Sequence, residues 1–250
     1  MGKKLYHNKE SVFFQKLNRF ALQQANSSWD FPENLKFTDA LYHTKLNSFL
    51  AQKTKGSLPP EHVSKLSHLR LAGTKVAWGF KDPVNTLFLS NWFTVYPKAK
   101  LIFIERDPFE VAFSLKKRED ERLKNQSLQK RLIAKEQQLS HLPVYRLSYR
   151  ILDLNQGVKV WKAYKNSFNT FEYNFNVPIL KLDYQKVLDN PIETVSKIVD
   201  FVFEDQTVNT DVELISKQID SGRKSALDFE TRKNLEQIFF NDPELANFIK

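Results

Sequence analysis

The chain has 250 residues, with 38 Lys and Arg against 29 Asp and Glu, a formal charge of +9 and 41% apolar residues that include 21 Phe. That length and apolar content fit one domain, 1–250, with a core of its own. The absence of cysteine excludes disulfides, thiolate chemistry and cysteine-based metal sites, and no metal is expected. The positive balance reads as a lysine-rich solvated surface or as steering of an anionic ligand.

Met1–Tyr6 leads into polar residues without an apolar segment, and Tyr6 stands where a myristoylation signal needs Ser or Thr. No apolar run approaches the roughly 20 residues of a membrane helix. The expected location is cytoplasmic, with no membrane partner.

Residues 8–25 carry Val12, Phe13, Leu17, Phe20 and Leu22 at helical spacing. A turn follows at Asn26–Pro32, with Trp29 as a packing anchor. Residues 38–53 read as a second helix capped by Thr38, residues 53–60 as a loop, and residues 61–72 as a third helix. His43, His62 and His68 show no metal-ligand spacing. Lys75–Phe80 reads as a strand, and it runs into Lys81-Asp82-Pro83. An amphipathic helix then leads to Tyr96-Pro97-Lys98-Ala99-Lys100.

Leu101–Ile104 is a short apolar run, as expected of a strand buried on both faces. It stops at Glu105-Arg106. Asp107 suits the N-cap of the next helix, Pro108 its first turn, and Glu110 completes a capping box. Arg106 therefore stands where a parallel strand hands over to a helix N-terminus, which attracts anions through free N–H groups and the helix dipole. Ser114 lies two turns into that helix.

Lys116–Glu136 mixes charges closely and reads as an exposed helix laced with i,i+4 pairs. Residues 139–154, with Pro143, form a connection. Residues 155–175 are helical, with Trp161, Tyr164 and Phe168 on one face. Val177–Asp183 is a second buried-strand pattern, and helices are expected at 192–203 and 208–218. Ser221–Ser225 reads as a turn that carries Arg223 and Lys224, and 228–249 as terminal helices broken at Asp242-Pro243.

The ordered pattern over Trp78–Arg118 resembles the sulfotransferase superfamily in its bacterial-type members. Their 3'-phosphate motif is an apolar strand, then Arg, then Ser eight residues on inside a helix; here these are Arg106 and Ser114. The Lys-Asp-Pro strand end and the aromatic-Pro-x-Ala-Lys approach to the next strand also fit. The resemblance implies a helix-rich α/β protein with a P-loop-NTPase-like three-layer fold, a parallel sheet flanked by helices. It implies 3'-phosphoadenosine 5'-phosphosulfate (PAPS) as donor and a carbohydrate, lipid, phenol or peptide as acceptor. Arg106 and Ser114 would hold the 3'-phosphate, Arg223 and Lys224 would form a loop closing over it, and Trp161 and Tyr164 would approach the adenine. Lys81 would contact the transferring group. Val84 stands where such proteins usually have Arg.

The family's first strand ends in a Gly-Thr loop that binds the 5'-phosphosulfate. The chain's six glycines provide no such loop: Lys55-Gly56-Ser57 follows a polar helix end, and Gly222-Arg223-Lys224-Ser225 has no strand before it. The fold is thus expected without its first strand and phosphate loop. Three explanations stand side by side: a fragment or misplaced start, a partner chain that supplies the loop, or a degenerate, catalytically inactive member that binds nucleotide weakly or not at all and serves a nucleotide-binding or structural role. Nucleic acid is not expected as a partner, since only the charge and no RNA or DNA motif points to it.

Overall fold

Phe14, Leu17, Ala21 and Leu22 follow one another at the spacing of a helix face, and all four are buried. In the computed structural model, which describes residues 7–54, 79–124, 148–204, 212–219 and 227–241, they lie on α1 (His7–Gln24). The further elements are α2 (Ala40–Thr54), α3 (Leu89–Val95), β1 (Leu101–Glu105), α4 (Pro108–Lys124), α5 (Leu154–Asn174), β2 (Ile179–Asp183), α6 (Tyr184–Asp189), α7 (Pro191–Phe203), α8 (Val212–Ser216) and α9 (Phe229–Asn241). Short 3-10 turns occupy Pro32–Phe37, Pro83–Phe88 and Arg150–Leu152. The architecture is helix-rich α/β with a small parallel sheet of β1 and β2. The helix expected at 61–72, most of the strand at 75–80, the charged segment beyond 124 and the turn at 221–225 lie outside the described residues. Gly79 and Phe80 are irregular.

The chain divides into two compact units. The first comprises Met1–Ile104 and Tyr164–Asp220. Its larger core joins the α1 stripe to Leu46 and Leu50 of α2 and to Phe88 and Trp92. Phe14 stacks on Phe80 with ring centres 3.7 Å apart, and both rings meet Trp92 edge-on. Trp29 packs against this cluster, as expected of an anchor.

Asn18 sits in the same core, 1% exposed. Its amide nitrogen donates to Asp82 Oδ2 at 2.8 Å and to Asn85 Oδ1 at 2.7 Å, and its carbonyl oxygen accepts the Trp92 indole N–H at 3.0 Å. An amide buried without partners would cost several kcal/mol, on the order of 2–7. Here both donors and the acceptor are used. The bonds tie α1 to the turn at residues 82–85 and to α3. Asp82 also accepts the Val84 N–H at 3.3 Å, and Pro83 has no N–H to offer. The expected amphipathic helix therefore begins as a 3-10 turn before α3 takes over.

The α2 cap differs from expectation. Asp39 Oδ1 accepts the Tyr42 N–H at 2.7 Å, whereas the Thr38 hydroxyl donates to the Leu35 carbonyl at 2.6 Å. The carboxylate is the stronger acceptor and stands one residue closer to the helix.

A second core lies under one face of the sheet. Leu101, Phe103 and Ile179 alternate onto it and pack with Phe168 and Phe171 of α5 and with Leu89 and Phe93 of α3. Phe103 stacks on Phe168 at 3.6 Å. Ile104 is 51% exposed, so β1 is not buried on both faces as its apolar run suggests. Lys100 closes α7: its ammonium donates to the carbonyls of Phe201 at 2.7 Å and Val202 at 3.1 Å and pairs with Glu204 at 2.7 Å. A cation at a helix C-terminus meets both the orphan carbonyls and the dipole.

The second unit comprises Glu105–Ala163 and Ser221–Lys250. Phe109 and Ala112 of α4, Val158 of α5, and Leu235 and Phe239 of α9 form its core. A Cβ on Gly157 would lie 2.9 Å from the Ala112 Cβ, so glycine is what allows α5 this close to α4. Glu119 is wholly buried, against the expectation of a solvated helix. Its carboxylate accepts from Arg118 Nε and Arg122 Nη1, both at 3.0 Å, and from the Ser148 backbone N–H at 3.2 Å. The expected i,i+4 pairing does occur on the outer face, between Lys116 and Asp120 at 2.8 Å. Among the described residues, no helix is long and apolar enough to cross a membrane.

Replacing Asn18 with Ala removes three bonds at once and leaves the Trp92 N–H and an Asp82 oxygen without this partner. The expected loss in chemical denaturation is roughly 2–4 kcal/mol. A loss below about 0.5 kcal/mol would show the amide network to be dispensable.

Candidate functional site

The N-cap at the end of β1 is the one the sequence suggests, but the expected capping box is not formed, because Glu110 pairs with Arg106 instead. Asp107 caps α4, its Oδ1 accepting the backbone N–H groups of Phe109 and Glu110, each at 3.0 Å. Pro108 occupies the first helical position, where a missing N–H costs nothing. The Glu110 side chain turns to Arg106, accepting from its Nε at 3.2 Å. The Arg106 side chain is 34% exposed, so its guanidinium sits at the strand-to-helix handover with access to solvent. Ser114 is exposed two turns into α4.

Trp161 joins Arg106 through the main chain. Its indole N–H donates to the Arg106 carbonyl at 3.1 Å, which anchors the backbone from which the guanidinium projects. A further cation stands beside the cap: Arg232 Nη2 donates to Asp107 Oδ2 at 2.9 Å while its Nε donates to Glu236 Oε1 at 3.0 Å. Arg232 escaped the sequence reading because it lies 125 residues from Asp107. The one local hint is its spacing from Glu236 on a helix face.

In the first unit, Lys81 is exposed and immediately precedes the pinned Asp82. The Tyr164 hydroxyl donates to the Trp29 carbonyl at 3.0 Å. Burial pushes its ionisation well above the usual range for a phenol, and the carboxylates of Asp82, Asp30 and Glu33 push the same way. Asp30 is buried and accepts the Ser28 hydroxyl at 2.7 Å. Tyr164 and Trp161 share α5 but fall in different units. Arg223 and Lys224 lie outside the described residues. His43 is exposed, its Nδ1 3.4 Å from Asn91 Oδ1. Among the described residues, no three His, Cys, Asp or Glu side chains gather in a way that could hold a metal ion.

The structure thus brings Arg106, Asp107, Glu110, Trp161 and Arg232 together at the start of α4. It sets Lys81 beside the Asn18 network, with the carboxylates of Asp82, Asp30 and Glu33 acting on Tyr164. The first set offers guanidinium groups and a helix N-terminus, which is chemistry for an anion. The model of the sulfotransferase family matches residues 7–205 of the chain. No curated protein and no solved structure matches it.

Two phenols shielded from solvent give a pH signature. Tyr42, whose hydroxyl donates to the Ala21 carbonyl at 2.8 Å, is pushed up to about 12 by burial, and Tyr164 is raised as well. The folded chain holds protons that unfolded tyrosines release near pH 10. Their contribution is complete below about pH 10 and is lost as pH rises through the folded values. The denaturation midpoint should fall above about pH 10, and less steeply in Tyr42→Phe. An identical decline in that variant would count against the assignment.

Proposed function

The chain belongs to the sulfotransferase family, and on that premise we propose that it transfers a sulfuryl group from PAPS to a hydroxyl or amine acceptor. The observation that carries the reading is the start of α4: Arg106 follows β1, the helix rises from the Asp107 cap, and Ser114 stands two turns on. In this reading Arg106 exchanges Glu110 for the 3'-phosphate of the donor and grips it with two parallel N–H bonds, which Lys could not do. Ser114 adds a hydroxyl hydrogen bond. The helix dipole favours the same charge.

Trp161 and Tyr164 are assigned to the adenine end, and Arg223 and Lys224 to a loop over the 3'-phosphate. Lys81 is assigned to the moving group. Its ammonium would offset charge as the bond from sulfur to the phosphate oxygen breaks and the bond to the acceptor oxygen or nitrogen forms. The acceptor's proton leaves to a base, as in in-line phosphoryl transfer. The acceptor is a carbohydrate, lipid, phenol or peptide, and a cytoplasmic location goes with this reading. A partner chain that supplied a phosphosulfate loop would complete the donor site. A second reading, nucleotide binding without transfer, draws on the absence of that loop from the sequence.

Calorimetry with adenosine 3',5'-bisphosphate tests the proposal. The wild type should bind, and Arg106→Ala should bind at least about tenfold more weakly. No binding by the wild type would overturn the donor assignment. Salt-labile binding matched by random-sequence DNA would favour a nucleic-acid ligand instead. Binding without turnover of PAPS across the four acceptor classes would favour the second reading.

A further inference from the structure

Besides Glu105 at the end of β1, two carboxylates of the start of α4 neighbour Arg106. Asp107 follows it directly, and Glu110 pairs with it at 3.2 Å. A phosphate that approaches Arg106 must come close to both, and like charges at such range repel. Glu110 can be exchanged for the phosphate, because its tie to this place is the arginine side chain itself. Asp107 cannot leave, because its Oδ1 holds the first two free N–H groups of α4. Its charge has to be compensated where it stands.

Arg232 supplies that compensation. Its Nη2 meets Asp107 Oδ2, the oxygen on the other side of the carboxylate from the cap, at 2.9 Å. The guanidinium is held in turn by Glu236 at 3.0 Å, one turn further along α9. The apolar contacts of Leu235 and Phe239 with Phe109 and Ala112 seat α9 on α4. Leu235 follows Arg232 by three residues, on the same face of the helix, so the seating delivers the guanidinium to the cap. Arg232 is 40% exposed, and its neighbourhood is open to a soluble ligand. It lies beyond residues 7–205, the stretch matched by the family model.

We propose that Arg232 is a positioning residue for the 3'-phosphate subsite: by neutralising the Asp107 cap it makes the start of α4 hospitable to an anion and holds the backbone that carries Arg106. The inference rests on the donor assignment above and adds to it a requirement for the C-terminal helix α9. The side chain acts through Asp107 and needs no contact with the nucleotide.

The test is the ratio of affinities for adenosine 3',5'-bisphosphate and adenosine 5'-phosphate, measured by calorimetry on the full chain, with thermal melting as a check on folding. A general loosening of the fold lowers both affinities and leaves the ratio alone. Arg232→Gln should reduce the ratio about tenfold, and Arg232→Lys, which keeps the charge, should retain most of it. The double variant Asp107→Asn with Arg232→Gln removes the carboxylate charge while Asn still caps the helix. It should recover the ratio to within about threefold of the wild type. If the wild type and Arg106→Ala differ in the ratio but Arg232→Gln matches the wild type, the Arg232 proposal is overturned and the donor assignment stands. A double variant no better than Arg232→Gln alone likewise overturns charge compensation. If the wild type itself shows no preference for the bisphosphate, both fall together.

Discussion

The larger core of the first unit depends on one buried amide. Asn18 has no water to fall back on, so its bonds to Asp82, Asn85 and Trp92 hold the geometry of everything they touch. An apolar residue at that position would fill the space and leave the turn at 82–85 free to shift. The amide converts a greasy contact between α1 and α3 into one with a defined register. Lys81 benefits directly, since the residue that follows it is fixed from two sides. Lys81 is thus an exposed lysine on a turn whose next residue is half-buried and bonded.

The second unit solves a different problem with similar means. Cations and carboxylates are packed closely around α4, and several of them meet opposite charges. Glu119 is matched by two arginines and a backbone N–H, Asp107 by Arg232, and Arg106 by Glu110. Exposed ion pairs contribute little to stability. The worth of these pairs lies in placement: Arg106 and Arg232 are held at the start of α4, and Arg118 and Arg122 flank Glu119 toward its far end.

Much of this was legible in the chain. The α1 stripe, the β1 run and the Asp107-Pro108 start of α4 follow from local rules of spacing and capping, and they form within a residue or two of where those rules put them. The Arg106 and Ser114 pattern pointed to the family before any coordinates did. What escaped was long-range. Asn18 sits on the α1 stripe between Phe14 and Leu22, and a polar residue on an apolar face was the available signal of an internal network. Glu119 gives the same signal, seven residues from buried Ala112 on one face of α4, but its charged neighbours mask it in the sequence. Thr38 was preferred to Asp39 because both residue types cap helices and sequence does not say which residue is the first to leave helical geometry. Local pattern sees neither burial nor a partner 125 residues away.

The contact of Gly157 with Ala112 has a consequence for the Arg106 main chain. Trp161 follows Gly157 by four residues, so both project from the same side of α5. The depth at which the glycine lets α5 settle determines how far the indole reaches toward the Arg106 carbonyl. A methyl group at position 157 would act as a wedge, tilting the indole away from the main chain that carries the guanidinium. The Arg106 main chain would then lose a hydrogen bond although neither Arg106 nor Trp161 had changed. A hydrogen atom in place of a side chain works as the spacer that sets the reach of the indole.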